Sequence, residues 1–220
     1  MKLKIISILL IGNSALSWGQ VFPAISFKGG LVVAGQQKTS TFFGEENIIF
    51  CLSASVEPTI YRFGNAKQFD LNLDISVLGK GSKNVSAIST YSETTFSTST
   101  GYQSYRQQMT YVSFSPLLKA RLGHTFYLKA GPRVDILADD RNSAFYPQYI
   151  RTEIEPYTFG ITYGIGIVKG KKQTQFICEV VGQSDLSSSA YNRTTNQKYK
   201  NHAAVINLGL LYTFKPEQKN

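Results

Sequence analysis

At 220 residues the chain suits one domain, and its formal charge of +9 raises nucleic acid as a partner. The basic residues are scattered, with no basic helix and no aromatic-rich RNA motif, so no nucleic acid is expected; exposed basic loops beside anionic lipid explain the charge instead. Only 17% of residues are charged while 13% are aromatic, nearly all Tyr and Phe. That mix favours strands over helices and argues against disorder.

The chain opens as a secretory signal expected over residues 1–19. Lys2 and Lys4 make a basic start, Ile5 to Ile11 a short apolar run, and Ser17 and Gly19 a small-residue cleavage site before Gln20. Removing the two lysines leaves a charge of +7 on the mature domain, residues 20–220. The apolar run is too short to span a bilayer, and no later run reaches 18 residues, which excludes a helical membrane protein. No cysteine follows the cleavage site, so no lipid anchor is expected. Export leaves the periplasm, the outer membrane or the medium.

Beyond the signal the recurring pattern is period two, and it appears eight times. In the first segment, Ala24 to Ala34, Ile25, Phe27, Leu31 and Val33 oppose Ser26, Lys28 and Gly30. The second, Ile48 to Tyr61, sets Ile48, Phe50, Leu52, Ala54 and Val56 against Cys51, Ser53, Ser55 and Glu57, with Pro58 weakening its lower end. The third, Gln68 to Leu78, sets Phe69, Leu71, Leu73, Ile75 and Val77 against Asp70, Asn72, Asp74 and Ser76. The fourth, Met109 to Leu122, sets Val112, Phe114, Leu118 and Ala120 against Tyr111, Ser113, Ser115, Lys119 and Arg121. The fifth, Thr125 to Leu137, sets Phe126, Leu128, Ala130, Val134 and Ile136 against Tyr127, Lys129, Arg133 and Asp135. In the sixth, Tyr157 to Val168, aromatic and aliphatic residues alternate with Thr158, Gly160, Thr162, Gly164 and Gly166. The seventh, Thr174 to Gln183, sets Phe176, Cys178 and Val180 against Gln175 and Glu179. The eighth, Ala203 to Phe214, sets Ile206, Leu208, Leu210, Tyr212 and Phe214 against Asn207, Gly209 and Thr213.

The connections alternate. Those around Gly64, Gly123 and Gly170 are short. Those over Gln36 to Asn47, Gly79 to Gln107, Asp139 to Glu155 and Ser184 to Asn201 are long and polar. Short turns on one rim and long loops on the other predict an all-β, eight-stranded antiparallel up-and-down transmembrane β-barrel in a bacterial outer membrane. Both chain ends then lie on the short-turn rim.

Periodicity alone does not say which face is inside. The polar face carries Lys28, Glu57, Asp70, Asp74, Lys119, Arg121, Lys129, Arg133, Asp135 and Glu179, a neutral set of five bases and five acids among small residues. An eight-stranded barrel is just wide enough for side chains to fill it, so these ten are expected to form a charge network in the lumen. Asp70 or Asp74 is expected to pair with Lys119, Arg121 or Lys129. The apolar face is long enough for tilted strands to cross, and Phe69, Phe126, Tyr157, Tyr212 and Phe214 sit near strand ends as an interfacial girdle would. Outer-membrane lipid and lipopolysaccharide are the partners this orientation implies. Cys51 and Cys178 fall on opposite faces, so two free thiols are expected, and no metal site. The terminal alternation of Leu208, Leu210, Tyr212 and Phe214, before the tail Lys215 to Asn220, resembles the strand signal read by the outer-membrane assembly machinery.

Three stretches carry a wider likeness: FDLNLDISVLGKGSK (Phe69 to Lys83), YVSFSPLLKARLGHTFYLKAGPRV (Tyr111 to Val134) and NLGLLYTF (Asn207 to Phe214). The chain resembles the porin-like or PorT-like outer-membrane β-barrel proteins of Bacteroidota. The resemblance implies the eight-stranded barrel and no single activity, although some relatives serve protein secretion.

Catalytic chemistry is thin. His124 lies in a predicted short turn. His202 enters the last strand beside Asp185, Ser187, Ser188 and Ser189, a set some lipid-modifying barrels would use. No phosphate loop or metal spacing is present, so no catalytic, cofactor or metal residues are expected. The leading expectation is a non-enzymatic barrel whose long loops, above all the Ser, Thr and Tyr-rich Gly79 to Gln107, contact a protein partner. The alternatives are a small channel or an accessory of transport or secretion, then a lipid-modifying enzyme, then a soluble lipocalin-like binder.

Overall fold

The computed structural model describes residues 22–38, 48–64, 68–92, 97–142, 152–170, 173–192 and 196–214. The expected signal peptide and the tail after Phe214 lie outside them. The strands are β1 (Ala24–Lys38), β2 (Ile49–Phe63), β3 (Phe69–Ser92), β4 (Ser97–Leu122), β5 (Phe126–Asn142), β6 (Thr152–Ile154), β7 (Tyr157–Lys169), β8 (Thr174–Asp185), β9 (Ala190–Asn192) and β10 (Gln197–Thr213). Eight of them, β1, β2, β3, β4, β5, β7, β8 and β10, form an antiparallel barrel that closes where β10 pairs with β1 from Ala24↔Thr213 to Lys38↔Tyr199. The short strands β6 and β9 extend the upper part of β10 into a small sheet above the barrel.

The faces are inverted relative to a soluble barrel. Leu52 and Phe50 are 74% and 72% exposed, while Asp135 and Arg133 are 0% and 1% exposed. Leu71, Ile161 and Leu208 point outward with them. Side chains this apolar are stable on an outer wall only when the surrounding medium is hydrocarbon. On the short-turn rim, Tyr61, Phe63 and Phe69 stack with ring centroids 6.0 and 5.5 Å apart, and Tyr212 meets Phe214 edge-on at 5.0 Å. Phe126 begins β5 on the same rim, while Tyr157 begins β7 on the opposite one. Cys51 is buried in the lumen and Cys178 lies on the outer side, both as free thiols.

Three expectations need correction. The stretch from Gly79 to Gln107 is not a loop: β3 and β4 continue as a paired hairpin from Gly79↔Thr110 to Ser92↔Ser97. Hydrophobic alternation stops in this stretch, while its Ser, Thr, Tyr and Val still favour extended backbone. The lower end of β2 is weakened at Pro58 as expected, since neither Glu57 nor Pro58 pairs with β3, but the strand runs two residues further, to Phe63, through a register shift between Thr59 and Tyr61 that turns Ile60 and Tyr61 outward together. The stretches Asp139 to Glu155 and Ser184 to Asn201 contain β6, β9 and the upper part of β10 rather than loop alone.

The seam between β4 and β5 has a register shift between Thr110 and Tyr111 and, lower down, a gap. Pairs are made at Phe114↔Val134 and Leu118↔Ala130 but not between them, and the shared register sets Pro116 opposite Pro132. Neither residue has an N–H to give the ladder. The strands close over the gap, since a Cβ on Gly131 would stand 2.0 Å from the Pro116 carbonyl oxygen. Gly131→Ala is therefore expected to cost about 1–3 kcal/mol or more through forced overpacking. Urea unfolding in micelles checks this, and an unchanged midpoint would contradict the close approach.

Candidate functional site

The lumen is built in layers, because inward positions on neighbouring strands meet at the same depth. At the short-turn rim Asp70 accepts from two arginines: Arg62 Nε at 2.7 Å and Arg121 Nη2 at 2.7 Å. The Arg121 side chain is 36% exposed, so this layer opens toward solvent.

The central layer holds three ammoniums and three carboxylates. Lys28 pairs with Glu57, with Asp74 at 2.9 Å and with Glu179 at 3.0 Å. Lys129 pairs with Glu179 at 2.9 Å, Glu57 at 3.2 Å and Asp74 at 3.9 Å. Lys119 pairs with Glu57 at 2.6 Å and stands over the Tyr127 ring at 4.6 Å. Tyr127 donates to Glu179 at 2.7 Å, Asn207 donates to it at 3.1 Å, and Asn72 donates to Glu57. The Tyr127 ring has room because its cross-strand partner is Gly166, where a Cβ would stand 2.3 Å from the ring. Glu57 is the hub of this layer. Lys119 and Lys129 are directly opposite each other in the β4–β5 ladder, a repulsive placement, and Glu57 reaches across from β2 to bind both.

The upper layer pairs Lys80 and Arg133 with Asp135 and Asp185. Lys80 meets Asp135 closely and Asp185 at 3.6 Å; Arg133 Nε meets Asp135 at 3.0 Å and its Nη2 bonds Asp185. Ser113 and Thr158 donate to Asp135, and the Asn201 N–H donates to Asp185 at 3.2 Å. Between the central and upper layers lies an apolar collar that includes Val32, Leu78, Val181 and Val205. A void of about 20 Å³ remains beside Asp74, Lys129 and Gln183, and one of about 50 Å³ near Arg121 and His124. The first has room for about one water.

All ten charged residues expected in the lumen are on the inner wall. The structure divides them: Asp70 with Arg121 at the rim, Arg133 with Asp135 above the collar, the other six in the centre. Asp70 takes Arg121 from the expected partners and Asp74 takes Lys129, with Lys28 closer still. Sequence reasoning missed Arg62, Lys80 and Asp185. Lys80 continues the inward file of Asp74, Ser76 and Leu78 at period two, so extending that count past Gly79 would have found it.

The residues considered for catalysis are dispersed. His202 lies on the outward file of β10, with Nδ1 3.4 Å from Ser184 Oγ. Asp185 is buried in the lumen on the other face. Ser187 Oγ accepts from the Phe159 N–H, and Ser189 Oγ donates to the Tyr199 carbonyl. His124 sits in the β4–β5 turn.

A closed barrel with greasy outer walls and a charge-filled interior defines an integral outer-membrane protein. A family model described as an outer membrane protein beta-barrel domain matches residues 22–180, and the chain belongs to that family. No curated protein matches the sequence. Among solved structures, the chain is similar to Ail, the attachment invasion locus protein of Yersinia pestis, in complex with the heparin analogue sucrose octasulfate (8% identity over 86% of this chain and 98% of that one, TM-score 0.41). It is also similar to a major outer membrane protein of Thermus thermophilus (10% identity, 86% and 99% covered, TM-score 0.41). A third is the outer membrane protease OmpT of Escherichia coli (10% identity, 87% and 97% covered, TM-score 0.40).

Removing Glu57 takes the one carboxylate that Lys119 meets among the described residues and one of the partners of Lys28 and Lys129, which keep Glu179 and Asp74. Glu57→Leu is expected to cost about 3–5 kcal/mol, while Asp70→Asn in the half-open rim layer costs below about 1 kcal/mol. Asp74→Leu falls between them, because Lys28 and Lys129 each keep other carboxylates. Urea midpoints in micelles rank the three variants, and equal midpoints for Glu57→Leu and wild type would refute the hub.

Proposed function

We propose that the protein is a closed, non-enzymatic scaffold that holds the β3–β4 hairpin above the outer membrane as a docking surface for a protein partner. The hairpin carries this reading. Pairing of β2 with β3 stops at Ser53↔Leu78, and pairing of β4 with β5 stops at Gln107↔Asn142. The β3–β4 ladder continues to Ser92↔Ser97. At about 3.3 Å per residue the β3 arm thus runs about 46 Å and the β4 arm about 33 Å beyond its last barrel neighbour.

Among the described residues no third strand pairs with either arm over 83–92 or 97–106. Open edges recruit an added strand, and proteins that must not do so place charge or proline there. These arms contain one charge each, Lys83 and Arg106, and no proline. Closure is supported by the lumen, where among the described residues the stacked ion-pair layers enclose small voids of about 20 and 50 Å³. Support for a non-enzymatic role is the separation of His202 from Asp185 by the barrel wall and the backbone bonds that occupy Ser187 and Ser189. Within the family, the PorT-like affiliation rests on the three stretches quoted above, and a secretion accessory would present the same hairpin.

Two measurements test the proposal. Planar bilayers containing the pure protein are expected to show no conductance above background; discrete openings would overturn the closed scaffold. A photo-reactive residue at Ser89 is expected to cross-link protein in intact cells, whereas one at lipid-facing Leu52 does not. Absence of protein cross-links at Ser89 would remove the partner.

A further inference from the structure

The outward file of β10 reads Tyr212, Leu210, Leu208, Ile206, Ala204, His202, Lys200 on rising toward the long-loop rim. The change from apolar to basic falls between Ala204 and His202. At that height the neighbouring outward residues are small: Gly35 on β1 and Ser184 on β8 are the cross-strand partners of His202. One step lower a row of direct partners runs obliquely round the wall: Val33, Ala204, Gly182, Tyr163, Ala130 and Leu118. Half of these are Ala or Gly. The Tyr163 ring stands over Gly182, where a Cβ would come within 2.4 Å of it.

The row descends. It begins at Val33, high on β1 above its start at Ala24, and ends at Leu118, close to the lower end of β4 at Leu122. Together these residues bound an external groove of about 1020 Å³ whose upper end is at Gly35, Ser184 and His202. Five interstrand steps of about 4.8 Å give it a length of about 24 Å, enough for an extended acyl chain entering from the outer leaflet of a hydrocarbon core about 30 Å thick.

We propose that this groove binds one chain of a phosphorylated outer-leaflet lipid, with the phosphate held by Lys200, His202 and the Ser184 hydroxyl. Charge complementarity selects an anion. No acidic residue occupies an outward position on β1 from Ile25 to Gln37, on β8 from Thr174 to Ser184, or on β10 from Lys200 to Tyr212. Lys198 continues the basic file above, with contacts of its own. An ammonium beside a lipid phosphate is a charge-assisted pair at the headgroup level, where the lysine stem lies along the apolar wall. His202 Nδ1 lies 3.4 Å from Ser184 Oγ; a ring that donates through both nitrogens gives Nδ1–H to Ser184 Oγ and leaves Nε2–H and the serine hydroxyl hydrogen for the phosphate.

The test uses the full mature protein in maltoside micelles, with native mass spectrometry and heat-modified gel mobility as readouts. Diphosphoryl lipid A is expected to give a saturable adduct of one lipid per chain and to raise the temperature at which the folded band is lost. Inorganic phosphate alone and a hydroxyl-headed diacylglycerol alone, at the same concentration, do neither. Lys200→Glu with His202→Ala removes the headgroup partners, and Ala204→Phe fills the groove; each is expected to weaken the adduct at least tenfold while the folded band persists. Lys169→Glu, on the opposite rim, leaves it unchanged. Full adduct in both groove variants, or equal loss with Lys169→Glu, overturns the site. A chain dimer that Ala204→Phe dissociates, with no lipid adduct in either form, also overturns it and makes the groove a self-interface.

Discussion

Three lysine ammoniums meet inside a wall that keeps water out, and carboxylates placed between them are what make the arrangement tolerable. Burying an unpaired charge costs several kcal/mol even after relaxation. Lys28, Lys119 and Lys129 are each within reach of Glu57, and two of them also share Glu179. The barrel can therefore be narrow, because its interior is filled by paired charges with no need for an apolar core. The same narrowness leaves the axis occupied by Tyr127, the lysine stems and the collar of Val32, Leu78, Val181 and Val205, which is what the proposed closed scaffold rests on.

Filling the inside with polar groups frees the apolar residues to face outward, and the two surfaces are linked residue by residue along every strand. On β7, Tyr157, Phe159, Ile161, Tyr163 and Ile165 lie on lipid while Thr158 and Thr162 are buried inside. A slip of one residue would carry a charge into hydrocarbon and a leucine into the lumen at once. The Pro116 and Pro132 seam is the place where the ladder itself contributes least. There the register must be held from the sides, by the β3–β4 and β5–β7 pairings that continue past both prolines.

Period two was enough to read eight strands, the polar file and the position of its charges, because a half-buried strand writes its two environments into alternate residues. It failed where the outward file stops being apolar. Gly79 and Gly81 carry no apolar side chain, so the alternation that marked β3 faded there although Lys80 and Ser82 continue the buried file. Arg62 was lost for another reason: the bulge at Ile60 shifts the phase by one, which moves the next inward position off the expected file. Asp185 stood beside a run of serines and a histidine that suggested chemistry, yet it is bound inside by Arg133. Composition near a strand end does not say which face a residue takes; only the count carried along the strand does. The oblique groove was invisible for a third reason, since Val33, Ala204, Gly182, Tyr163, Ala130 and Leu118 become neighbours only through the register of six strands.

That register is where the buried charges do more than neutralise one another. The central layer draws Lys28 from β1, Glu57 from β2, Asp74 from β3, Lys119 from β4, Lys129 from β5 and Glu179 from β8, one charge from each strand. Lys28 and Glu179 lie on either side of β10, so their 3.0 Å contact spans the strand that closes the barrel. The layer is complete only when β10 has paired with both neighbours in the correct register. A two-residue slip would keep every side chain on its proper face and leave the hydrophobic pattern satisfied, but it would move Lys28 by about 6.8 Å, two rises of about 3.4 Å, away from its carboxylates. Lipid contacts cannot detect that error. The ion pairs can, because their energy falls steeply once the partners separate and the stranded charge stays dry. In this barrel the outer wall sets which face looks in, and the inner charges set which residue stands opposite which.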